Sequence, residues 1–452
     1  MFSAADDSAF RSVAEEVWAI SNVFYFDTHK RALRNADIEI YGNEIVGITP
    51  PGTSTAPERL DGSRFVCMPG LVNGCLLLGG GSSDGEVRAA VQNHGADRST
   101  QLRDALSQAV LSGVTTIGTF TTRTETDVSV VAAVGIRASL YREYMDVWLG
   151  PEHQPAVKNV AECLHDYEQT LRQFDSPALT IQPAVGSQLG ASTHLLTALH
   201  DLVKEKGRRL VIRVDGGFPW TESFRDAYGC SGLALLRSLD VLDENTLIVP
   251  TEPISQLDRG HLRKCNTNVV HRAGELGAKA GRQGRTARVD ITCRRQVSLA
   301  WNRGELPNAA DRVGCARRDF AGDVIDLLTW KGAEALQFPE TGSLAIGKRA
   351  DFLLYDRRAF RGACLLTVGC GAILELIADN RPQAVVIDGR WAVREYALAT
   401  WSACGTLADL STFEEVSTGQ VPNFQGARYE VAEAMSGELP DPERGKSSRS
   451  TS

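Results

Sequence analysis

The sequence predicts an α/β protein: one barrel of alternating strands and helices, attached to a small β domain made from both ends of the chain. Three observations point there. Short strands of period two, separated by turn signals, fill residues 17–66. A similar block lies between residues 350 and 393. Between the two, helical stretches alternate with β-branched runs over about 270 residues, which implies parallel βα units and suits a single barrel.

The elements follow in order. Residues 1–15 are a polar arm. Asp37-Ile-Glu-Ile-Tyr41 alternates with period two, Gly42-Asn-Glu44 supplies a turn, and Ile45-Val-Gly-Ile48 returns, together a β-meander. Leu102 to Ser112 carries apolar residues at helical spacing and leads into the β-branched run Gly113-Val-Thr-Thr-Ile117. Leu195 to Lys206 is a helix stopped by Gly207 and feeds the strand Arg209-Leu-Val-Ile-Arg-Val214. Leu233 to Leu242 is a further helix, followed by Asn245-Thr-Leu-Ile-Val249. Near the end, Ala350–Tyr355 and Ala384–Val393 are strands; Asp388-Gly389 within the latter favours a tight hairpin, since both residues tolerate positive φ. Met435 to Ser452 is Ser, Gly, Pro and charge with nothing to bury, so it is expected to be disordered.

Composition narrows the function classes. With 452 residues, 43% of them hydrophobic and 23% charged, the chain is long enough for a large core and more than one domain. A net charge of -8 without a Lys/Arg run argues against nucleic-acid and anionic-membrane partners. The Arg-rich stretch Arg282 to Arg295 is broken by Asp290 and apolar residues and reads as a loop entering a strand. Ten cysteines lack Cys-x-x-Cys spacing, the start Met1-Phe-Ser-Ala-Ala-Asp-Asp7 is not a signal peptide, and no stretch approaches ~20 apolar residues. A cytoplasmic protein with reduced thiols is the expectation. The eight histidines (29, 94, 153, 165, 194, 200, 261 and 271) include no His-x-His or His-x-x-x-His pair, and none is expected near a barrel strand end.

Several motifs together resemble the amidohydrolase superfamily, closest to its cytosine-deaminase and triazine-hydrolase branch. Asp37 to Ile48 resembles the "edGrIvaIg" hairpin, and Cys67-Met-Pro-Gly-Leu-Val-Asn73 resembles "lvlPGlvn" at the first barrel strand. Ser112-Gly-Val-Thr-Thr116 resembles "sGvTtv", and Gly135-Ile-Arg-Ala138 resembles "GiRa". Trp330-Lys-Gly-Ala333 and Gly342 to Asp351 resemble "nGAraLg...GsLepGkrADl". The matches run from about residue 17 to 395. The resemblance implies a (β/α)8 TIM-like barrel over 67–340 and a small β-sandwich composed of residues 1–66 and 341–425, with 426–452 as a tail. It also makes a homodimer, or a hetero-oligomer with an active homologue, plausible by analogy.

The family's metal ligands do not carry over. The first-strand His-x-His is Cys75 and Leu77 here, and Leu offers no lone pair to a metal. The strand resembling "lhiHvaE" has Arg213 in place of the His and Gly216 in place of the proton-shuttling Glu. The position after "tvla" falls on Pro250, and the Asp closing "vgLGtD" falls on Arg294, or on Cys293 or Asp290 with a shift of register. No metal and no cofactor are therefore expected. Arg213 and Arg294 would put fixed positive charge where an ion stood, able to hold an anionic ligand or steady an oxyanion. Each then needs a partner among Asp215, Glu252, Asp290 or a bound anion.

Three readings stay open. The first is a non-hydrolytic homologue that binds a small ligand or acts as a scaffold or regulatory subunit. The second is a metal-independent enzyme on C–N bonds using Arg213, Asp215, Glu252 and Arg294, with Cys75, Glu143, Arg213 and Arg294 toward substrate. The third is a hydrolase with an unusual metal site of Cys75, Cys293 and acidic residues. Plainer alternatives stand beside each residue: arginines that only plug a vestigial pocket, Cys75 as a small core residue, Arg142 to Asp146 as a solvated loop. Gly79 to Gly85 lacks the Lys and Ser/Thr of a P-loop and reads as a flexible βα loop.

Overall fold

The computed structural model describes residues 17–76, 98–149, 155–186, 190–214, 220–251, 254–273, 297–301, 306, 320–360 and 365–398. Leu77, the Gly79–Gly85 loop, Asp215, Gly216, Glu252, Asp290, Cys293, Arg294 and the 426–452 tail lie outside the described residues.

The chain begins with β1 (Trp18–Asp27), β2 (Ala32–Tyr41), β3 (Glu44–Thr49), β4 (Glu58–Asp61) and β5 (Phe65–Pro69). β1 and β2 form the expected antiparallel pair, from Trp18 opposite Ile40 to Asp27 opposite Ala32. The meander's Asp37 is buried and structural: its carboxylate accepts the N–H groups of Asn22, Gly52 and Ser54 at 2.7–2.9 Å.

Next comes a parallel sheet with helices between its strands. It comprises β6 (Leu71–Asn73), α1 (Arg98–Leu111), β7 (Val114–Thr121), α2 (Thr124–Val134) and β8 (Arg137–Glu143). A separate two-stranded ribbon of β9 (Val147–Leu149) and β10 (Pro155–Val157) follows. Then come α3 (Val160–Phe174), β11 (Leu179–Val185), α4 (Thr193–Lys206), β12 (Leu210–Val214), α5 (Trp220–Tyr228) and α6 (Gly232–Ser238). β13 (Thr246–Pro250), α7 (Gln256–Cys265), β14 (Asn268–Arg272) and β15 (Val297–Ala300) complete the strands, with α8 (Phe320–Leu328) and α9 (Trp330–Ala335) after them. The helices start and stop as their sequences dictate. Ser192 accepts from Leu195 N–H at the start of α4, and Gly207 closes it with a left-handed φ of 64°.

The parallel strands lie in the order β6-β7-β8-β11-β12-β13-β14-β15. The sheet curls until its edges meet. Among the described residues β6 and β15 exchange no ladder bonds; side chains join them instead. Asn73 Nδ2 donates to the carbonyl of Trp301 at 2.8 Å, and Trp301 Nε1 donates to the carbonyl of Val72 at 3.1 Å. One face of the sheet buries Leu210, Ile212 and Ile248 in the large core cluster that also takes in helix residues such as Leu195 and Leu262. The other face packs Val72, Phe120, Tyr141, Ala184, Val211, Val249 and Ala300 into the interior. This alternation fixes which residues can point into the mouth.

β16 (Phe352–Asp356), α10 (Cys370–Asp379), β17 (Ala384–Ile387), β18 (Arg390–Arg394) and β19 (Ala397–Leu398) end the described chain. Their strands join the first five in one nine-stranded sheet, through β16 beside β5, so both ends of the sequence share a sheet as expected. Trp18 from the N-terminal part lies 6.3 Å from Phe352 and 6.0 Å from Trp391, ring to ring. Asp388 and Gly389 make the tight turn with φ of 52° and 76°.

A buried ion pair links the two sheets. Arg137, 2% exposed, donates through Nε and Nη2 to fully buried Asp351 at 3.3–3.4 Å and through Nη2 to Asp388 at 3.2 Å. Burial pushes the Asp351 carboxyl up, opposed by the Arg137 charge and the Asp388 N–H. Arg137 is the Arg of "GiRa" and Asp351 the Asp of "krAD", so these motif residues hold the architecture together. Among the described residues no helix is long and apolar enough to cross a membrane.

Candidate functional site

The site lies where the parallel strands end. On β12 the alternation turns Val211 and Arg213 inward and Ile212 outward. Arg213 Nε donates to the carbonyl of Gly186, just past β11, and its guanidinium lies over the Phe120 ring, 5.0 Å from the centroid. These two contacts fix the plane of the guanidinium. Among the described residues no carboxylate lies within ion-pair distance of it.

Glu143 ends β8 on the same inward side. It meets Arg213 around Gly186: a Cβ there would collide with the Glu143 carboxylate, lie 2.7 Å from its Cδ and lie 3.4 Å from Arg213 Nη2. Only glycine leaves both side chains their places. Glu143 also lines a pocket of about 150 Å³ with Arg142, Tyr144, Met145 and Lys158. Arg142 is turned away to the Thr122 carbonyl at 2.6 Å and Asp166 at 3.4 Å. Asp146 belongs to the scaffold, accepting both the N–H and the hydroxyl of Ser192 at the start of α4. The stretch Arg142 to Asp146 thus divides into one mouth residue and several anchors.

Beneath this level the interior is closed. Cys75 is 2% exposed within the apolar cluster, and its N–H bonds to Asn73 Oδ1 at 3.2 Å. Tyr141 donates its hydroxyl to the Gly74 carbonyl at 2.7 Å and packs edge-on against Phe120 at 5.2 Å. Burial, with Cys75 beside it, raises the Tyr141 phenol well above its ordinary range, so it stays a donor.

Two expectations need correction. On β13, Leu247 and Val249 point inward, so Pro250 falls on the outward face and Val249 holds the inward position beside Arg213. Among the described residues the last parallel strand is Val297–Ala300, and Arg294 with its alternatives Cys293 and Asp290 lies outside the described residues. A histidine does occupy a strand end: His271 on β14. Its neighbour Val270 points inward, so His271 faces the helix layer. Its Nε2 is enclosed without a hydrogen-bond partner, and burial, with Arg259 nearby, pushes its pKa down to about 4.

The described residues do not fit a divalent ion. The inward positions offer a buried thiol, one carboxylate from Glu143, a guanidinium and Val249, and a guanidinium repels a cation. Among the described residues no three His, Cys, Asp or Glu side chains converge on one point.

No protein-family model matches the sequence, and no curated protein does. Solved structures do match. A triazine hydrolase from Arthobacter aurescens superposes with a TM-score of 0.67 at 16% identity, covering 88% of this chain and 98% of that one. The chain has the amidohydrolase fold. An adenosine deaminase from Xanthomonas campestris, solved with bound zinc, gives 0.66 at 15% identity over 87% of this chain and 96% of its own. An amidohydrolase from an environmental sample of the Sargasso Sea gives 0.64 at 17% identity over the same shares. In this amidohydrolase-fold chain, motif residues such as Arg137 and Asp351 sit at structural joints.

Proposed function

We propose that this amidohydrolase-fold protein is a non-hydrolytic homologue that binds a small anionic ligand at the C-terminal mouth of its parallel strands. The single observation that carries the reading is Arg213. Its guanidinium is inward, held by the Gly186 carbonyl and the Phe120 ring, and without a carboxylate partner among the described residues. Arginine keeps its charge in such a place, and its planar N–H edge matches a carboxylate or another oxyanion. Asp215 and Glu252 follow β12 and β13 in the chain and are proposed for supporting roles, whereas Cys75, buried in the apolar interior, is not a ligand contact. Ligand-observed NMR with propionate tests the reading. Binding that disappears in Arg213→Gln supports it; binding unchanged in Arg213→Gln, or none to the wild type, overturns it.

Glu143 favours a second reading, a metal-independent enzyme on C–N bonds. A carboxylate beside a guanidinium can move a proton while the cation steadies an oxyanion. Turnover of small amides or cyclic imides that falls in Glu143→Gln would establish it.

A further inference from the structure

Resting on the anion-binding reading, we propose that Phe120 is a positioning residue of the site: its ring face, and not its bulk, holds the Arg213 guanidinium ready for an anion. An arginine turned inward ordinarily takes a carboxylate partner, which cancels its charge and occupies its donors. Among the described residues Arg213 has none. Its Nε donates to the Gly186 carbonyl, and the guanidinium carbon lies 5.0 Å from the centre of the Phe120 ring. An aromatic face attracts a cation through its quadrupole and takes up no N–H. The carbonyl takes one N–H and brings no charge. Together they steady the cation and leave its charge and its Nη groups for a ligand, and Arg213 remains partly exposed.

The ring is itself held from behind. Phe120 is 8% exposed and meets the fully buried Tyr141 edge to face, with centroids 5.2 Å apart and planes at 74°. The Tyr141 hydroxyl donates to the Gly74 carbonyl at 2.7 Å. Gly118 leaves room for that bond, since a Cβ there would meet the hydroxyl and lie 2.5 Å from the Gly74 oxygen. Contacts thus run from Gly74, just past β6, through Tyr141 on β8 and Phe120 on β7 to Arg213 on β12. Arginine has many rotamers, and a support that selects one before the ligand arrives lowers the cost of binding.

The test uses the full-length protein and propionate, titrated by ligand-observed NMR. Phe120→Met keeps a side chain of similar volume without a ring, and its affinity for propionate is expected to fall about fivefold or more. Phe120→Tyr keeps the ring face and should recover most of the loss. Phe120→Leu is a second ringless variant, and circular dichroism checks that each chain is folded. Ringless variants that bind as tightly as the wild type would overturn the inference and leave the anion-binding reading standing. So would equal weakening in Phe120→Met and Phe120→Tyr, because packing alone would then explain the loss. No propionate binding by the wild type would overturn both.

Discussion

Replacing Arg137 by methionine removes the positive half of a buried pair while keeping most of its aliphatic bulk. Asp351 would lose three contacts at 3.3–3.4 Å and keep the Asp388 N–H at 2.7 Å. A buried carboxylate with one donor must stay charged without compensation or take up a proton. Removing one partner of such a pair costs about 3–5 kcal/mol. The cost depends on pH in a definite sense. Burial already pushes the Asp351 carboxyl above its ordinary value of 3.8, and losing Arg137 pushes it further. The folded variant then holds a proton that the unfolded chain releases, so its deficit grows as pH rises above 3.8. Urea unfolding followed by far-UV circular dichroism at two pH values measures this. Adding Asp351→Asn to Arg137→Met should recover part of the loss, because the orphaned charge is gone. A deficit under about 1 kcal/mol, equal at both pH values, would refute the reasoning.

Other outcomes follow from the same geometry. The His271 imidazole is held neutral, so the native chain excludes a proton that the unfolded chain accepts; stability present above pH 6.5 is lost as pH falls towards about 4. Because the residue is only partly buried, the loss is set at roughly 2–3 kcal/mol; His271→Phe should flatten this part of a stability–pH curve, and an unchanged curve would contradict the assignment. Asn73→Ala removes the bond to the Trp301 carbonyl and the acceptor for Cys75 N–H, and should cost roughly 2–3 kcal/mol in urea unfolding. Gly118→Ala would drive a methyl into the Tyr141 hydroxyl and to 2.5 Å from the Gly74 carbonyl oxygen, breaking the bond between those groups. A loss of about 1–3 kcal/mol is expected, read from the same unfolding curves.

Much of the fold was legible in the sequence because local signals and architecture agree. The Asp388-Gly389 turn, the helix ended by Gly207 and the alternation from Asp37 to Tyr41 are each set by a few neighbouring residues. The position of Arg213 was suggested by the resemblance alone, since the run Leu210 to Val214 is apolar apart from Arg213 and has no period of two. Registers at β13 and β15 were not legible. Thr246 to Pro250 is apolar throughout, so sequence does not say which residues face in, and only the pairing of Arg213 with Val249 decides. β15 is four residues long and follows an Arg-rich stretch that offered a competing match. The joining of Glu143 to Arg213 was invisible for another reason: it depends on Gly186, a residue on a third strand end whose contribution is a missing side chain.

The central claim is that this mouth holds a fixed guanidinium in place of a metal ion, and elemental analysis of freshly purified full-length protein tests it most directly. Alongside it, Arg213→His restores an imidazole at the inward position of β12. The expected result is no stoichiometric zinc, iron or manganese in either protein, because one imidazole beside Cys75 and Val249 does not make a site. Stoichiometric zinc in the wild type, removed by a chelator and regained on addition, would contradict the claim.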